Sequence, residues 1–304
     1  MKRFVCICLV LILCFGICGC QEVPNQPEAL PKLHPWEVEV IENNKPFDQI
    51  YGEVLQVLTP DVLEVEVLLS NKDWGKKAYV VTGDAGDFCV GDRIYFEYQQ
   101  VHLPKDRNQQ TRFIATRVGV SVPMAKPIIY VYPEKPTVCS AKITLAGQLT
   151  CTYPDHGLDG WENFVAHPDG TLVFPDGKEY YALYWEGVQN VEWDFSSGYC
   201  VRGEDTAAFL EWALAEQGLT AREANEFIIY WLPLMQENPY NVISFQTTKY
   251  TDSAKLEITP TPDSLLRIFM AYYAADTEVK IEPQTFDGFI REGFTVVEWG
   301  GGPA

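Results

Sequence analysis

The sequence ANEFIIYWLPLMQENPYNVISFQ, residues 224–246, is the densest apolar run outside the N-terminus and decides how the second half of the chain folds. Apolar residues recur at i, i+3 and i+4 in its first part, which predicts an amphipathic helix. Thr220 and Glu223 form a capping-box pattern before it. Pro233 lacks an N–H and is predicted to kink or end the helix. The alternating residues 240–247 then predict a strand, so the stretch indicates a helix packed against a sheet.

A second helix and a set of strands are predicted around this stretch. The sequence GEDTAAFLE, residues 203–211, starts a helix that Gly218 stops. Residues 128–132 are bounded by prolines, which favours a first or edge strand. Residues 138–145 and 148–153 are predicted to form a hairpin. Further strands are predicted at residues 162–167, 179–186, 191–195, 254–258, 265–273, 279–282 and 294–299. Residues 126–304 are thus predicted to be an α+β domain, an antiparallel sheet with a helix pair on one face.

The pattern of short strands and turns in residues 47–121 predicts a small β-barrel. Its sequence FCVGDRIYFEY, residues 88–98, is followed by RFIATRV, residues 112–118. These two stretches resemble the OB-like domains of small Gram-positive lipoproteins. OB-folds can bind oligonucleotides or sugars. Acidic residues outnumber the few lysines here, so a spacer or protein-contact module is the preferred interpretation.

The second half contains six distinctive motifs: KPIIYVYP (126–133), YWEG (184–187), GEDTAAFLE (203–211), NEFIIYWLPLM (225–235), YNVISFQ (240–246) and VVEWGG (296–301). Together these motifs resemble those of an uncharacterised family of bacterial surface lipoproteins. The resemblance implies a family but no activity, and it assigns no catalytic residue.

The N-terminus is typical of an exported chain. Lys2 and Arg3 precede an apolar run, residues 4–17, that is shorter than the roughly 20 residues of a membrane span. The leader, residues 1–19, resembles a bacterial lipoprotein signal peptide, which implies that Cys20 carries the lipid, including a palmitate chain. An uncleaved membrane anchor is the alternative. Both interpretations predict an extracytoplasmic body that is held at the cell membrane.

Residues 20–46 contain five prolines and predict an extended tether between the membrane and the barrel. The sequence WEVEV, residues 36–40, could form a short strand within it. The whole chain has 304 residues and a formal charge of −19, with 42 acidic against 23 basic residues. Such an acidic balance argues against a nucleic-acid partner.

The cysteines and histidines indicate neither a metal nor a cofactor. Cys139, Cys151 and Cys200 share the second domain, where they could form one disulfide or remain free thiols. His156 and His167 lie near Cys151, but their spacing matches no familiar metal site. We therefore expect no metal and no cofactor.

Two carboxylates beside tryptophans are the candidate catalytic residues. Glu186 follows Trp185, and Glu298 precedes Trp299. A pair of carboxylates with aromatic neighbours resembles the equipment of a glycoside hydrolase. The alternative is that both are solvated acids at strand ends.

A polar patch on the predicted sheet is the candidate binding site. Ser244, Gln246 and Arg267 each point away from the apolar side of their strand, and Trp185 and Glu298 could adjoin them. The alternative is a structural ion pair between Arg267 and Glu298. Glu226 lies about 200° from the centre of the apolar helix face, so it is predicted to be solvated.

These observations favour a lipid-anchored extracytoplasmic protein of binding or interaction type, with no derivable chemistry. The predicted partners are the membrane, through the lipid on Cys20, and a cell-wall component or envelope protein. The alternative is an envelope hydrolase that acts on wall glycan through Glu186 and Glu298. The distance between the two carboxyl groups distinguishes these functions.

Overall fold

The structure is a computed structural model that describes residue 30 and residues 38–43, 49–68, 76–83, 85–106 and 108–304. The predicted signal peptide, Cys20 and most of the predicted tether lie outside the described residues.

The described chain is built mainly of strands. The strands are β1 (Val38–Glu42), β2 (Gln49–Thr59), β3 (Val62–Val67), β4 (Lys77–Val81), β5 (Arg93–Pro104), β6 (Thr111–Val120), β7 (Val122–Tyr132), β8 (Thr137–Leu145), β9 (Gln148–Tyr153), β10 (Trp161–Ala166), β11 (Leu172–Val173), β12 (Glu179–Tyr180), β13 (Leu183–Gln189), β14 (Tyr199–Arg202), β15 (Tyr240–Gln246), β16 (Ala254–Thr259), β17 (Ser264–Ala275) and β18 (Thr295–Pro303). The α-helices are α1 (Thr206–Glu216), α2 (Ala221–Met235) and α3 (Thr248–Ser253).

The first domain is a closed five-stranded barrel, as the sequence predicted. Its strands follow the order β5-β2-β3-β4-β6, and a further pairing of β5 with β6 closes the ring. The β4–β6 pair is parallel, whereas the other neighbouring strand pairs of the barrel are antiparallel. Alternate apolar residues of these strands fill the interior, among them Leu63, Phe96 and Phe113, which are fully buried.

The predicted tether includes a strand of the barrel sheet. Strand β1, Val38–Glu42, pairs antiparallel with β5 between Gln100 and Pro104. Its side chains are mostly exposed, so backbone hydrogen bonds rather than core packing hold it there. The folded unit therefore begins before residue 47, and residues 38–42 are not a free spacer.

The two domains are joined by a nearly continuous strand. Strand β6 ends at Val120 and β7 begins at Val122, so only Ser121 separates them. The rings of Tyr51 and Tyr95 from the barrel pack against Val188 of the second domain. Burial raises the pKa of Tyr51 to about 12, and its hydroxyl also contacts the backbone of Asn190. These contacts place a face of the barrel directly against the second domain.

The second domain is a three-layer structure. A seven-stranded sheet with the order β14-β15-β17-β18-β7-β13-β9 forms the middle layer. Helices α1 and α2 pack on one face, around Phe227, Trp231 and Trp299. A five-stranded sheet with the order β12-β11-β10-β8-β16 covers the other face, around Trp161 and Trp185. The helix pair on one face is thus as predicted, whereas the second sheet was not expected.

The middle sheet is mixed rather than antiparallel, and β7, predicted as a first or edge strand, is the first strand of the domain but lies in the interior of the sheet. Strands β17 and β18 run parallel. Strand β7 lies between β18 and β13, although prolines flank its apolar part. At residues 126–127 the pairing register of β7 shifts against both neighbouring strands, β13 and β18. Pro127 is tolerated in a central strand because this bulge leaves its nitrogen without a ladder partner.

Several smaller expectations for the second domain were wrong. Strands β8 and β9 do not form a hairpin, because β8 pairs with β10 and β16 while β9 pairs with β13 in the other sheet. Residues 191–195 form no strand. Residues 279–282 contribute only an isolated bridge between Ser197 and Glu282. The chain therefore divides its strands between two layers, which alternation within single strands cannot reveal.

Helix α2 begins and ends close to where the sequence predicted. Thr220 and Glu223 form the complete capping box at its N-terminus. Pro233 lies in the last turn, and the helix ends at Met235. A Cβ atom on Gly301 would lie 2.8 Å from the Trp231 ring, so glycine in β18 lets the helix approach the sheet closely. Within the described part of the chain, no helix has the length and apolar character that crossing a membrane requires.

Candidate functional site

The predicted residues Trp185, Arg267 and Glu298 meet in one buried cluster. Glu298 accepts hydrogen bonds from Trp185 Nε1 at 2.9 Å, from the Tyr250 hydroxyl at 2.8 Å and from Arg267 Nε at 2.6 Å. Arg267 Nη1 donates to the backbone oxygen of Ala254 at 2.6 Å. The guanidinium also lies 4.7 Å above the ring of Tyr250. This is the structural ion pair that the sequence left open as the alternative.

The cluster is sealed from water, and its two charges are paired with each other. The side chain of Glu298 is 0% exposed and that of Arg267 is 7% exposed. Burial lowers the pKa of Arg267, but the adjacent Glu298 carboxylate and the Tyr250 hydroxyl together outweigh burial and raise that pKa above its usual value. Burial and the same carboxylate raise the pKa of Tyr250. A buried charge pair of this kind holds strands together and leaves no route for a substrate.

Ser244 and Gln246 lie on the same sheet face but bind a different part of the chain. The Ser244 hydroxyl and Gln246 Nε2 both donate to the backbone oxygen of Asp194, at 2.9 and 2.8 Å. The backbone N–H of Asp194 donates in return to Gln246 Oε1 at 3.1 Å. Both side chains therefore anchor the irregular segment around residue 194 to strand β15.

The predicted binding patch is therefore not an open polar surface. Ser244 is 1% and Gln246 4% exposed, and Trp185 is fully buried. The five-stranded sheet and the segment around residue 194 cover this face. A depression of about 230 Å³ remains beside Ser244 and Gln246, next to Lys249 and Gln284. Gln284 occupies its wall by pairing through its side-chain amide with the backbone of Phe245.

The two candidate catalytic carboxylates face opposite sides of the middle sheet. Glu298 contacts Trp185 and Tyr250, which belong to the core between the sheets. Glu186 follows Trp185 in β13 and so points towards the helices. There it hydrogen-bonds the Tyr184 hydroxyl and accepts from the backbone N–H of Lys126 at 3.4 Å. The pair shares no cleft.

Glu186 instead lines a groove at the junction of the two domains. We call this the junction groove; it has a volume of about 610 Å³. The barrel contributes Leu68, Arg93 and Val120, and the second domain contributes strands β7 and β13, helix α2 and the C-terminus. Its wall combines Glu186 with aromatic and aliphatic groups, including Met124, Tyr230, Trp231, Leu234 and Tyr272. Domain junctions with such walls are common ligand sites.

Lys126 stands beside the junction groove in an unusual conformation. Its φ is 61°, in the left-handed region that a lysine rarely adopts. Its ammonium nitrogen lies 5.4 Å from the ring centre of Tyr184 and 5.3 Å from that of Tyr230. Within the described ranges it forms no ion pair. Backbone strain of this kind concentrates at functional sites.

A second depression adjoins the junction groove at Tyr230, which lines both. It has a volume of about 320 Å³, and its wall includes Lys126, Tyr181, Glu226 and Ile229. The ammonium of Lys126 is thus near the point where the two cavities meet. Ile229 and Leu234, one in each wall, are 66% and 53% exposed, so α2 presents apolar groups along this surface.

Two buried donors in the junction groove have no partner in the described structure. Ser121 is 3% and Trp231 1% exposed, and neither the Ser121 hydroxyl nor the Trp231 indole N–H makes a hydrogen bond there. Buried polar groups are almost always paired with protein or water. Both residues line the junction groove, and their unpaired polar atoms are enclosed within its wall.

Other predicted features have structural roles. Glu226 was predicted to be solvated, but its side chain is only 25% exposed and accepts from the Tyr130 hydroxyl at 2.6 Å. Burial and this carboxylate raise the pKa of Tyr130. His156 is 6% exposed, and its Nε2 accepts from the backbone N–H of Ile143 at 3.2 Å. No cluster of three or more metal-binding side chains occurs among the residues described.

The three cysteines of the second domain are free thiols. Cys139 is buried, Cys151 is exposed and Cys200 is partly exposed. Cys139, Cys151 and Cys200 therefore form none of the disulfides that the sequence allowed among them. Burial raises the pKa of the Cys139 thiol.

Comparisons of the chain with protein-family models, with curated proteins and with solved structures found no significant match. Function therefore has to be argued from the geometry of the chain itself.

Sequence reasoning missed the residues of the junction groove. Lys126 and Tyr230 were quoted only as parts of longer motifs. The positive φ of Lys126 and the unpaired donors of Ser121 and Trp231 exist only in three dimensions. The one available signal was Pro127, which is unexpected in a central strand and marks the bulge.

Proposed function

We propose that this chain is a lipid-anchored binding protein of the bacterial envelope, and that its ligand occupies the junction groove. The observation that carries the proposal is the groove itself. It lies where two domains meet, has the volume of a small-molecule site and has a mainly aromatic and aliphatic wall with a few polar groups.

The leader sequence supports the anchored location. Lys2, Arg3, the short apolar run and Cys20 follow the order of a lipoprotein signal. We expect the full chain to incorporate labelled palmitate and to fractionate with membranes. The Cys20→Ala variant should incorporate none. Equal labelling of both chains would contradict lipidation at Cys20.

The barrel is proposed to be of the OB type. What supports this is the closed order β2-β3-β4-β6-β5 with a single parallel pair, β4–β6, which is the Greek-key arrangement of that fold. Its proposed role is contact with the second domain. The side chains of Leu68, Arg93 and Val120 that it contributes form one wall of the junction groove.

The hydrolase alternative receives no support from the geometry. Glycoside hydrolysis needs two carboxyl groups on either side of one bond, about 5–10 Å apart. Glu186 and Glu298 point to opposite faces of a sheet, and Glu298 is 0% exposed. A binding function requires only the groove.

A matched pair of substitutions tests whether the groove binds envelope material. Val120 is 62% exposed and lines the groove, whereas Val138 is 60% exposed and lies on the five-stranded sheet. The full chain should retain small molecules from envelope extracts, detected by native mass spectrometry. Val120→Trp should reduce this retention by filling the groove, and Val138→Trp should not. Equal retention by both variants would refute the groove as the site.

A further inference from the structure

We propose that the ligand of the junction groove is an anionic amphiphile, an apolar body with a carboxylate or phosphate group that contacts Lys126. The inference rests on the proposed function, because it specifies the chemistry of the ligand in that groove. It follows from the charged and hydrogen-bonding groups around the junction groove that have no partner within the described structure.

The unmatched polar groups around the groove are donors. The Ser121 hydroxyl and the Trp231 indole N–H are buried and make no hydrogen bond within the described structure. The ammonium of Lys126 has three N–H groups and no ion-pair partner in the same part of the chain. Arg93 adds an exposed cation on the barrel side. A ligand that pairs with the Lys126 ammonium or the Arg93 guanidinium has to supply acceptor oxygens, because these groups only donate.

The acidic side chain in the groove wall, Glu186, is already engaged. Glu186 accepts from the backbone N–H of Lys126 at 3.4 Å and hydrogen-bonds the Tyr184 hydroxyl. Its carboxylate therefore helps to hold the bulge and the aromatic frame of Lys126.

The frame around Lys126 fixes the position of its charge. The rings of Tyr184 and Tyr230 lie 5.4 and 5.3 Å from the ammonium nitrogen, which limits its rotamers. The bulged backbone at φ 61° directs the side chain from a central strand towards this frame. A positioned cation loses less entropy on binding an anion than a free surface lysine does.

The rest of the wall matches an apolar body. Met124, Leu234 and Tyr272 line the groove together with Val120, which is 62% exposed. The protein as a whole carries a charge of −19, so an anion would be repelled from most of its surface. Two cations beside an apolar groove therefore distinguish this site from its surroundings.

Small probes separate the chemistry of the head group from that of the apolar body. We would measure dissociation constants by calorimetry for the full chain in lipid nanodiscs, with empty nanodiscs as reference. The probes are hexyl phosphate, hexanoate, hexanol, hexylamine and inorganic phosphate. We expect hexyl phosphate and hexanoate to bind at least about tenfold more tightly than hexanol, as expected for a charged hydrogen bond. Inorganic phosphate and hexylamine should bind more weakly still.

Lys126→Gln removes the charge of the side chain and shortens it by one atom. It should lower the affinity for hexyl phosphate about tenfold and leave hexanol unchanged. Lys255→Gln is the matched control, because Lys255 is exposed on β16 of the other sheet. An equal loss in both variants would overturn the role of Lys126.

The remaining outcomes distinguish this inference from the proposed function. Hexanol or hexylamine binding as tightly as hexyl phosphate, with loss in Val120→Trp, would overturn the anionic class but keep the groove. Inorganic phosphate binding as tightly as hexyl phosphate would overturn the amphiphile. No binding of any probe, together with equal envelope retention by Val120→Trp and Val138→Trp, would overturn both proposals.

Discussion

The indole Nε1 of Trp185 donates a hydrogen bond of 2.9 Å to Oε1 of Glu298, 113 positions further along the chain. Strand β7 lies between their strands in the middle sheet, so the bond spans a whole strand. Together with Arg267 it ties β13, β17 and β18 into one unit beneath the second sheet. These residues, which the sequence offered as a catalytic or binding set, are the electrostatic centre of the fold.

Replacing Glu298 by Gln should therefore destabilise the protein strongly. The variant keeps the shape of the side chain but leaves the guanidinium of Arg267, 7% exposed, without its charge partner. Removing one member of a buried pair costs about 3–5 kcal/mol. We expect this loss in the free energy of unfolding of the second domain, measured with urea and tryptophan fluorescence.

Glu257→Gln provides the control for that measurement, because Glu257 is exposed on β16. It should change the free energy of unfolding by less than about 0.5 kcal/mol. If Glu298→Gln were equally mild, the buried charge pair would not be a main contributor to stability.

The elements with strong local signals were predictable, and their arrangement was not. The capping box at Thr220, the apolar stripe through Trp231 and the strand from Tyr240 are all present, because each depends on neighbours in sequence. The second sheet was missed because apolar and polar residues alternate in the same way along β8 and β9, although the two strands belong to different sheets. The burial of Ser244 follows from that layer, so its polarity misled the site prediction.

Glu223 should contribute to acid sensitivity of the helix layer. Burial raises its pKa, but hydrogen bonds from Arg291 and the Thr220 backbone outweigh burial and hold the pKa below 4.5. Because the folded-state pKa is depressed, this stabilisation is complete above about pH 4.5 and is lost as pH falls through the folded-state value. In Glu223→Gln, unfolding free energy should therefore depend less on pH below 4.5.

Chemical denaturation between pH 3 and 6 measures how the free energy of unfolding depends on pH. The linkage relation predicts that this free energy rises with pH where the unfolded state binds more protons. Glu211→Gln, at an exposed site on α1, serves as control and should retain the wild-type slope. An unchanged slope in Glu223→Gln would mean that the contact with Arg291 does not titrate with folding.

The free thiols should differ in reactivity. The thiolate is the reactive species, and burial both shields Cys139 and raises its pKa. Cys151 is exposed, and Cys200 accepts a hydrogen bond at Sγ from the backbone of Val279 at 3.2 Å. We expect iodoacetamide to modify Cys151 first and Cys139 only after unfolding, as followed by peptide mass spectrometry. Resistance of Cys151 before reduction would indicate a disulfide instead.

The strained backbone of Lys126 should separate stability from binding. A left-handed conformation costs a non-glycine residue about 1–2 kcal/mol, and glycine avoids that cost while losing about 0.5–1 kcal/mol of unfolded-state entropy. Lys126→Gly should therefore leave the free energy of unfolding unchanged or raise it by up to about 1.5 kcal/mol. The same variant should bind hexyl phosphate more weakly, because the ammonium between Tyr184 and Tyr230 is gone.

Asn163→Gly, at φ 56°, is the control and should gain less stability, since asparagine tolerates this region. A large loss of stability in Lys126→Gly would show that the lysine is retained for packing, whereas unchanged stability with weakened binding would show that its strain is maintained for the ligand.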